Sequence, residues 1–201
     1  MRLLTARFSR IAILLSLVMS APLFSEDIEG DGWRFKSQFG LWFGPVTPVP
    51  GSALSNVLST NIGGGTFIRM NIPSDDWLFE TGLSYSYYTS NGPARLHAVP
   101  VYGAMNYRLP INLPLTFFAK AGAGATYVSA VPEDKENWHP TALLGLETSF
   151  PAGKWVNIGV RLDYYFVYED YLTPPANVPN YQIANGHLFN FGLMVNFNVF
   201  R

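Results

Sequence analysis

The segment HLFNFGLMVNFNVF, residues 187–200, decides how this chain folds. Phe189, Phe191, Leu193, Val195, Phe197 and Val199 alternate with Asn190, Gly192, Met194, Asn196 and Asn198. Successive side chains of a strand point to opposite faces, so this segment reads as a strand with one apolar face and one wetter face. Seven segments upstream share the rhythm: Trp33 to Gly44, Thr60 to Ile72, Trp77 to Tyr88, Leu96 to Leu109, Leu115 to Val128, His139 to Phe150 and Trp155 to Tyr168.

Charge separates the two faces. Arg34, Lys36, Arg69, Glu80, Arg108, Lys120, Glu147, Arg161 and Asp163 all fall on the wetter phase, and the apolar phase of these segments carries no Lys, Arg, Asp or Glu. A soluble β-sandwich also alternates, but it does not need apolar belts this wide. In a membrane barrel, an Arg or Lys facing lipid at mid-depth costs about 2–4 kcal/mol, which accounts for the exclusion.

The connections agree. Turns at Pro73 to Asp76, Pro110 to Pro114 and Pro151 to Lys154 are short, and they alternate with longer loops near 45–59, 89–95, 129–138 and 169–186. Short turns on one side and long loops on the other are the pattern of bacterial outer-membrane barrels. Aromatic residues gather at both strand ends: Trp33, Trp77, Tyr107, Phe150, Trp155 and Phe197 on the short-turn side, and Phe43, Tyr85, Tyr87, Tyr127, Tyr164 and Tyr168 on the other. These read as two interfacial girdles. The expected fold is all-β: an eight-stranded antiparallel transmembrane up-and-down barrel.

Composition points the same way. Charged residues make up 13% of the chain, against about 25% in an average soluble domain. The N-terminus has a secretory layout, with Arg2, Arg7 and Arg10 ahead of an apolar stretch from Ile11 to Val18 and small residues at Ser20, Ala21 and Ser25. Residues 1–25 are expected to be a signal peptide and 26–201 the outer-membrane barrel domain. Without Arg2, Arg7 and Arg10 the remainder holds ten Lys or Arg against fourteen Asp or Glu, and no basic patch suggests nucleic acid. The absence of cysteine rules out disulfides and thiolate metal sites. No cofactor and no metal site is expected.

The stretch AVPVYGAMNYRLPINLPLTFFAKAGAGATYV, residues 98–128, together with the closing run NFGLMVNFNVF, residues 190–200, resembles the small outer-membrane barrels grouped with the OmpX-like and OmpW-like proteins. Such barrels carry a terminal assembly signal, and Asn190, Gly192, Val195 and Phe197 match its spacing. The resemblance therefore implies the barrel-assembly machinery as a partner, beside outer-membrane lipid. In OmpW-like barrels an apolar lumen with a sideways exit is associated with passage of small hydrophobic molecules.

Eight strands enclose a lumen that side chains can fill, so a general diffusion pore is not expected. If the Pro73 to Asp76 turn pairs Ile72 with Trp77, Arg69 lies opposite Glu80, and Lys120, Glu147, Arg161 and Asp163 extend a charge network at similar depth. Above it the inward positions turn less polar: Trp42, Tyr88, Leu96, Pro100, Val128, Leu143, Tyr165, Val167 and Leu188. These residues are expected to form an apolar cup that opens outward. Pro100 lacks a ladder donor and marks either a bulge or a weak seam. Gly122 and Gly124 lie mid-strand with no helix following, so they read as small inward residues making room for large neighbours rather than as a phosphate loop.

Two functions compete. In the first, the barrel binds or passes small hydrophobic molecules through the cup. In the second, it is a non-transporting platform whose loops, with Tyr171 and Tyr181 in the last, bind host surface molecules or envelope partners. An enzyme is not expected: His97, His139 and His187 sit at the outer strand ends, and neither His97 nor His187 has a serine two residues away.

Overall fold

The computed structural model describes residues 37–72, 76–111, 113–131, 135–153, 155–168 and 185–199. The expected signal peptide, Trp33 to Lys36, Tyr171, Tyr181, Phe200 and Arg201 lie outside the described residues. Eight strands follow one another: β1 (Ser37–Pro48), β2 (Asn61–Asn71), β3 (Trp77–Thr89), β4 (Arg95–Arg108), β5 (Thr116–Val131), β6 (Lys135–Pro151), β7 (Val156–Val167) and β8 (Gly186–Asn198). Each pairs antiparallel with its chain neighbours, and β1 pairs with β8, which closes the barrel. Closure leaves no open sheet edge whose backbone groups would need solvent.

Alternation sorts the side chains as the sequence implies. Along β8, Leu188, Asn190, Gly192, Met194 and Asn196 are buried, while Phe191, Leu193 and Phe197 are exposed. The exposed exterior is a belt of large apolar residues, among them Leu41, Phe43, Ile62, Val101, Leu144 and Leu146. Both girdles form: Trp77 meets Tyr107 at 4.8 Å between ring centroids on the short-turn side, and Tyr127 meets Trp138 at 5.5 Å on the other. Trp138 was legible only as loop, because its segment looked polar.

Several boundaries move. β1 runs on to Pro48, because Val46 and Pro48 keep the inward phase through a proline-rich stretch that reads as a loop. The β5 and β6 strands extend to Val131 and back to Lys135, so most of the stretch expected as a loop near 129–138 is ladder. The longer β6 places Glu136 on the outward phase at the outer rim, and β4, which starts at Arg95, places Arg95 there too, where the apolar phase of the sequence segments carries no charge.

Glycine sits where neighbours demand it. A Cβ on Gly40 would lie 2.1 Å from the Phe67 ring, and one on Gly82 would lie 2.4 Å from the Tyr102 hydroxyl. At Gly124 the obstacle is the backbone itself, Val101 O at 2.0 Å, so this glycine admits close approach of β4 rather than a large side chain.

Candidate functional site

The lower lumen is filled by six charged side chains, each no more than 3% exposed: Arg69, Glu80, Lys120, Glu147, Arg161 and Asp163. The β2–β3 turn sets the first contact. Ile72 N donates to Trp77 O at 3.2 Å, which puts Arg69 directly opposite Glu80. Arg69 Nε then donates to Glu80 Oε2 at 2.6 Å, and its two terminal nitrogens grip the carboxylate of Glu147, contributed by β6 across the lumen. Arg161 on β7 donates to Asp163 Oδ2 at 2.5 Å and to Glu80 Oε1 at 2.8 Å. Lys120 on β5 reaches Asp163 Oδ1 at 2.6 Å and Glu80 Oε1 at 3.4 Å.

Three cations therefore face three anions, and the cluster is neutral. Buried charges persist only when paired and hydrogen-bonded, and here every charged group finds a partner of opposite sign. All six residues singled out in the sequence are brought together. Three further members are visible in sequence only as inward positions. Tyr102 donates to Glu80 Oε1 at 2.9 Å, and Asn106 approaches Glu80 Oε2 at 3.5 Å. The Phe67 ring lies 4.6 Å from the guanidinium carbons of both Arg69 and Arg161, so a cation–π contact links the two arginines through one ring. Their sequence signal was weak because a Tyr, Asn or Phe on the inward phase is compatible with many fillings.

Above the charges, the apolar residues meet. Trp42, Tyr88, Leu143, Tyr165, Val167 and Leu188 are at most 5% exposed and belong to one contiguous cluster, with Leu96 and Val128 packed against it. Pro100 is buried beside them. Tyr165 stands edge-on to Tyr102 at 6.1 Å and so joins this layer to the charged one, while Trp42 Nε1 donates to Ser84 Oγ at 3.2 Å.

The expected open cup is instead filled and covered. The β1–β2 loop contains a short 3-10 helix, Ala53–Asn56, and Leu54 and Leu58 pack onto the apolar cluster. The loop is held at both ends: Val49 N donates to His187 O on β8 at 2.9 Å, and Ser59 pairs with Thr89 at the end of β3. Gly51, with φ of 85°, makes the turn that leads into the helix, a backbone conformation glycine adopts without strain. The sequence treated this stretch as an undifferentiated loop, since two leucines in a Ser- and Pro-rich segment carry no periodic signal.

Pro100 interrupts the wall without a bulge. Leu83 pairs with Val101 and Ser86 with Ala98 in one unchanged register, and the pairs between them are absent from the β3–β4 ladder. Toward β5, Pro100 still pairs with Thr126. Pro45 has the same effect on the β1–β8 ladder, between Phe43↔Leu193 and Val46↔Asn190. Neither gap has an extra residue, so the bulge alternative at Pro100 is set aside for a local loss of pairing.

At the closing strand, Asn190 and Gly192 face inward, and Val195 and Phe197 face outward. Of the histidines, His97 and His187 point outward into the girdle, whereas His139 is buried on the inward phase, opposite Thr126.

Fold and lumen together define the class: a small, closed, eight-stranded up-and-down barrel of the transmembrane kind with a side-chain-filled interior. Among solved structures the chain is similar to Neisserial surface protein A, with 12% identity and a TM-score of 0.54 over 82% of this chain and 96% of that one. It is likewise similar to the N-terminal β-barrel domain of Pseudomonas aeruginosa OprF, with 13% identity and a TM-score of 0.50 over 82% of this chain and 99% of that one. At such identities the likeness speaks to the fold. No family model and no curated protein matches the chain.

Proposed function

We propose that the protein is an integral outer-membrane barrel that acts as a closed platform, presenting its loop-bearing end to the exterior, and that it carries no catalytic activity. One observation carries this reading: the lumen is shut twice, by the neutral charge cluster below and by the apolar cluster under Leu54 and Leu58 above. Ion passage would have to break several buried ion pairs, each costly to open. The apolar exterior and paired girdles fit a bilayer, and the even strand number puts both barrel ends of the chain on the short-turn side. In this reading residues 1–25 direct export, Asn190, Gly192, Val195 and Phe197 present the assembly signal, and the loops meet host or envelope molecules.

The test is conductance of the refolded full chain in a planar bilayer, beside surface binding by cells that display it. Closed bilayers with retained binding are the expected result. Steady conductance from the folded barrel would overturn the platform.

A second reading, binding or passage of small hydrophobic molecules, draws on a specific observation: the ladder gap at Pro100 adjoins the apolar cluster. Uptake of a fluorescent hydrophobe by vesicles containing the wild type, lost in Pro100→Val, would favour it over the platform.

A further inference from the structure

The segment RLHAVP, residues 95–100, opens β4 at the end of the barrel away from the short turns. Arg95 and His97 are two residues apart and share the outward face. His97 is opposite Tyr87 on β3 and Ser129 on β5, and Ser129 is in turn opposite Glu136 on β6. Cross-strand partners of this kind hold their Cβ atoms about 5 Å apart, so these side chains form one patch. Among the described strand residues, Arg95 and Glu136 are the charged side chains on the outward phase, and both lie at this end.

The imidazole is held in place. His97 Nδ1 is 2.8 Å from the Tyr85 hydroxyl, and its ring lies 4.8 Å from that of Tyr87. With the phenol donating to Nδ1, the ring proton sits on Nε2, which becomes a donor without any need for charge. The two tyrosines belong to the girdle and so mark the depth of lipid headgroups. The exposed Arg95 guanidinium adds a planar fork of donors one step further out.

We propose that Arg95, His97 and Ser129 bind the phosphate of a lipid headgroup in the adjoining leaflet. A phosphate is the group that a cationic fork and two neutral donors on neighbouring outward positions suit at headgroup depth. Glu136 opposes a bare phosphate and sets the limit on affinity. The opposite wall supplies a control: Tyr164 hydroxyl meets His187 Nδ1 at 2.7 Å, but the residue two before His187 is Asn185 rather than an arginine.

This inference rests on the membrane placement proposed above, and one experiment separates the two. The full chain is refolded into phosphatidylcholine nanodiscs, folding is checked by heat-modifiable gel mobility, and phosphatidic acid is titrated while imidazole nitrogen shifts are followed by NMR. His97 should shift with saturation and His187 should not. Arg95→Gln should weaken the response about fivefold, the effect of one cation near a membrane surface, and Glu136→Gln should strengthen it. Equal shifts at both histidines, no effect of Arg95→Gln, or displacement by inorganic phosphate in the buffer would each overturn the site. Failure of the chain to enter nanodiscs would instead count against the membrane barrel itself.

Discussion

At the scale of single residues, the lumen depends on Glu80. Its two oxygens take contacts from Arg69, Arg161, Lys120, Tyr102 and Asn106, on four different strands. Glu80→Gln keeps the shape but leaves the cluster with an excess cation. It should lower stability by about 3–5 kcal/mol, as expected when one partner of a buried pair is removed. Urea unfolding of the refolded barrel, read by tryptophan fluorescence, measures this; a change below 1 kcal/mol would mean that solvent already reaches the charges. Arg69 opposite Glu80 was legible in the sequence because a short turn fixes the register of a hairpin. The grip of Arg69 on Glu147 was not, since β2 and β6 are joined only through the closed barrel.

At the scale of elements, proline decides where the ladder weakens. Pro100 stands mid-strand with an unchanged register on either side, so the missing pairs reflect its absent N–H and not a shift of the strand. Pro100→Val should restore a donor toward Ser84, slow hydrogen exchange at Ser84, and add about 0.5–1.5 kcal/mol of stability. Unchanged exchange at Ser84 would show that strand separation, rather than the missing donor, opens this seam. Pro45 and Pro48 both read as loop signals, yet both lie within a strand. Where proline and alternation disagreed, alternation was the better guide, because a ladder hydrogen bond lost on one side is cheaper than turning an entire strand face.

At the scale of the whole molecule, the two lumen layers are closed by independent means, and this is testable. Leu54→Asp should loosen the β1–β2 loop from the apolar cluster and allow a fluorescent hydrophobe to bind, while ion conductance stays absent because the charge cluster is untouched. Conductance appearing in that variant would mean that the upper layer alone seals the barrel. Strand number, inward and outward assignment, the six lumen charges and the girdles were all determined by the sequence, because a period of two and the exclusion of charge from lipid act on each strand locally. Only the tertiary structure decided that the cup is filled and strapped over, that Phe67 joins two arginines, and that His97 lies opposite Ser129 on the neighbouring strand at the rim. Those contacts join residues distant along the chain, and they come together only when barrel closure fixes the distance across the lumen and the register around the wall.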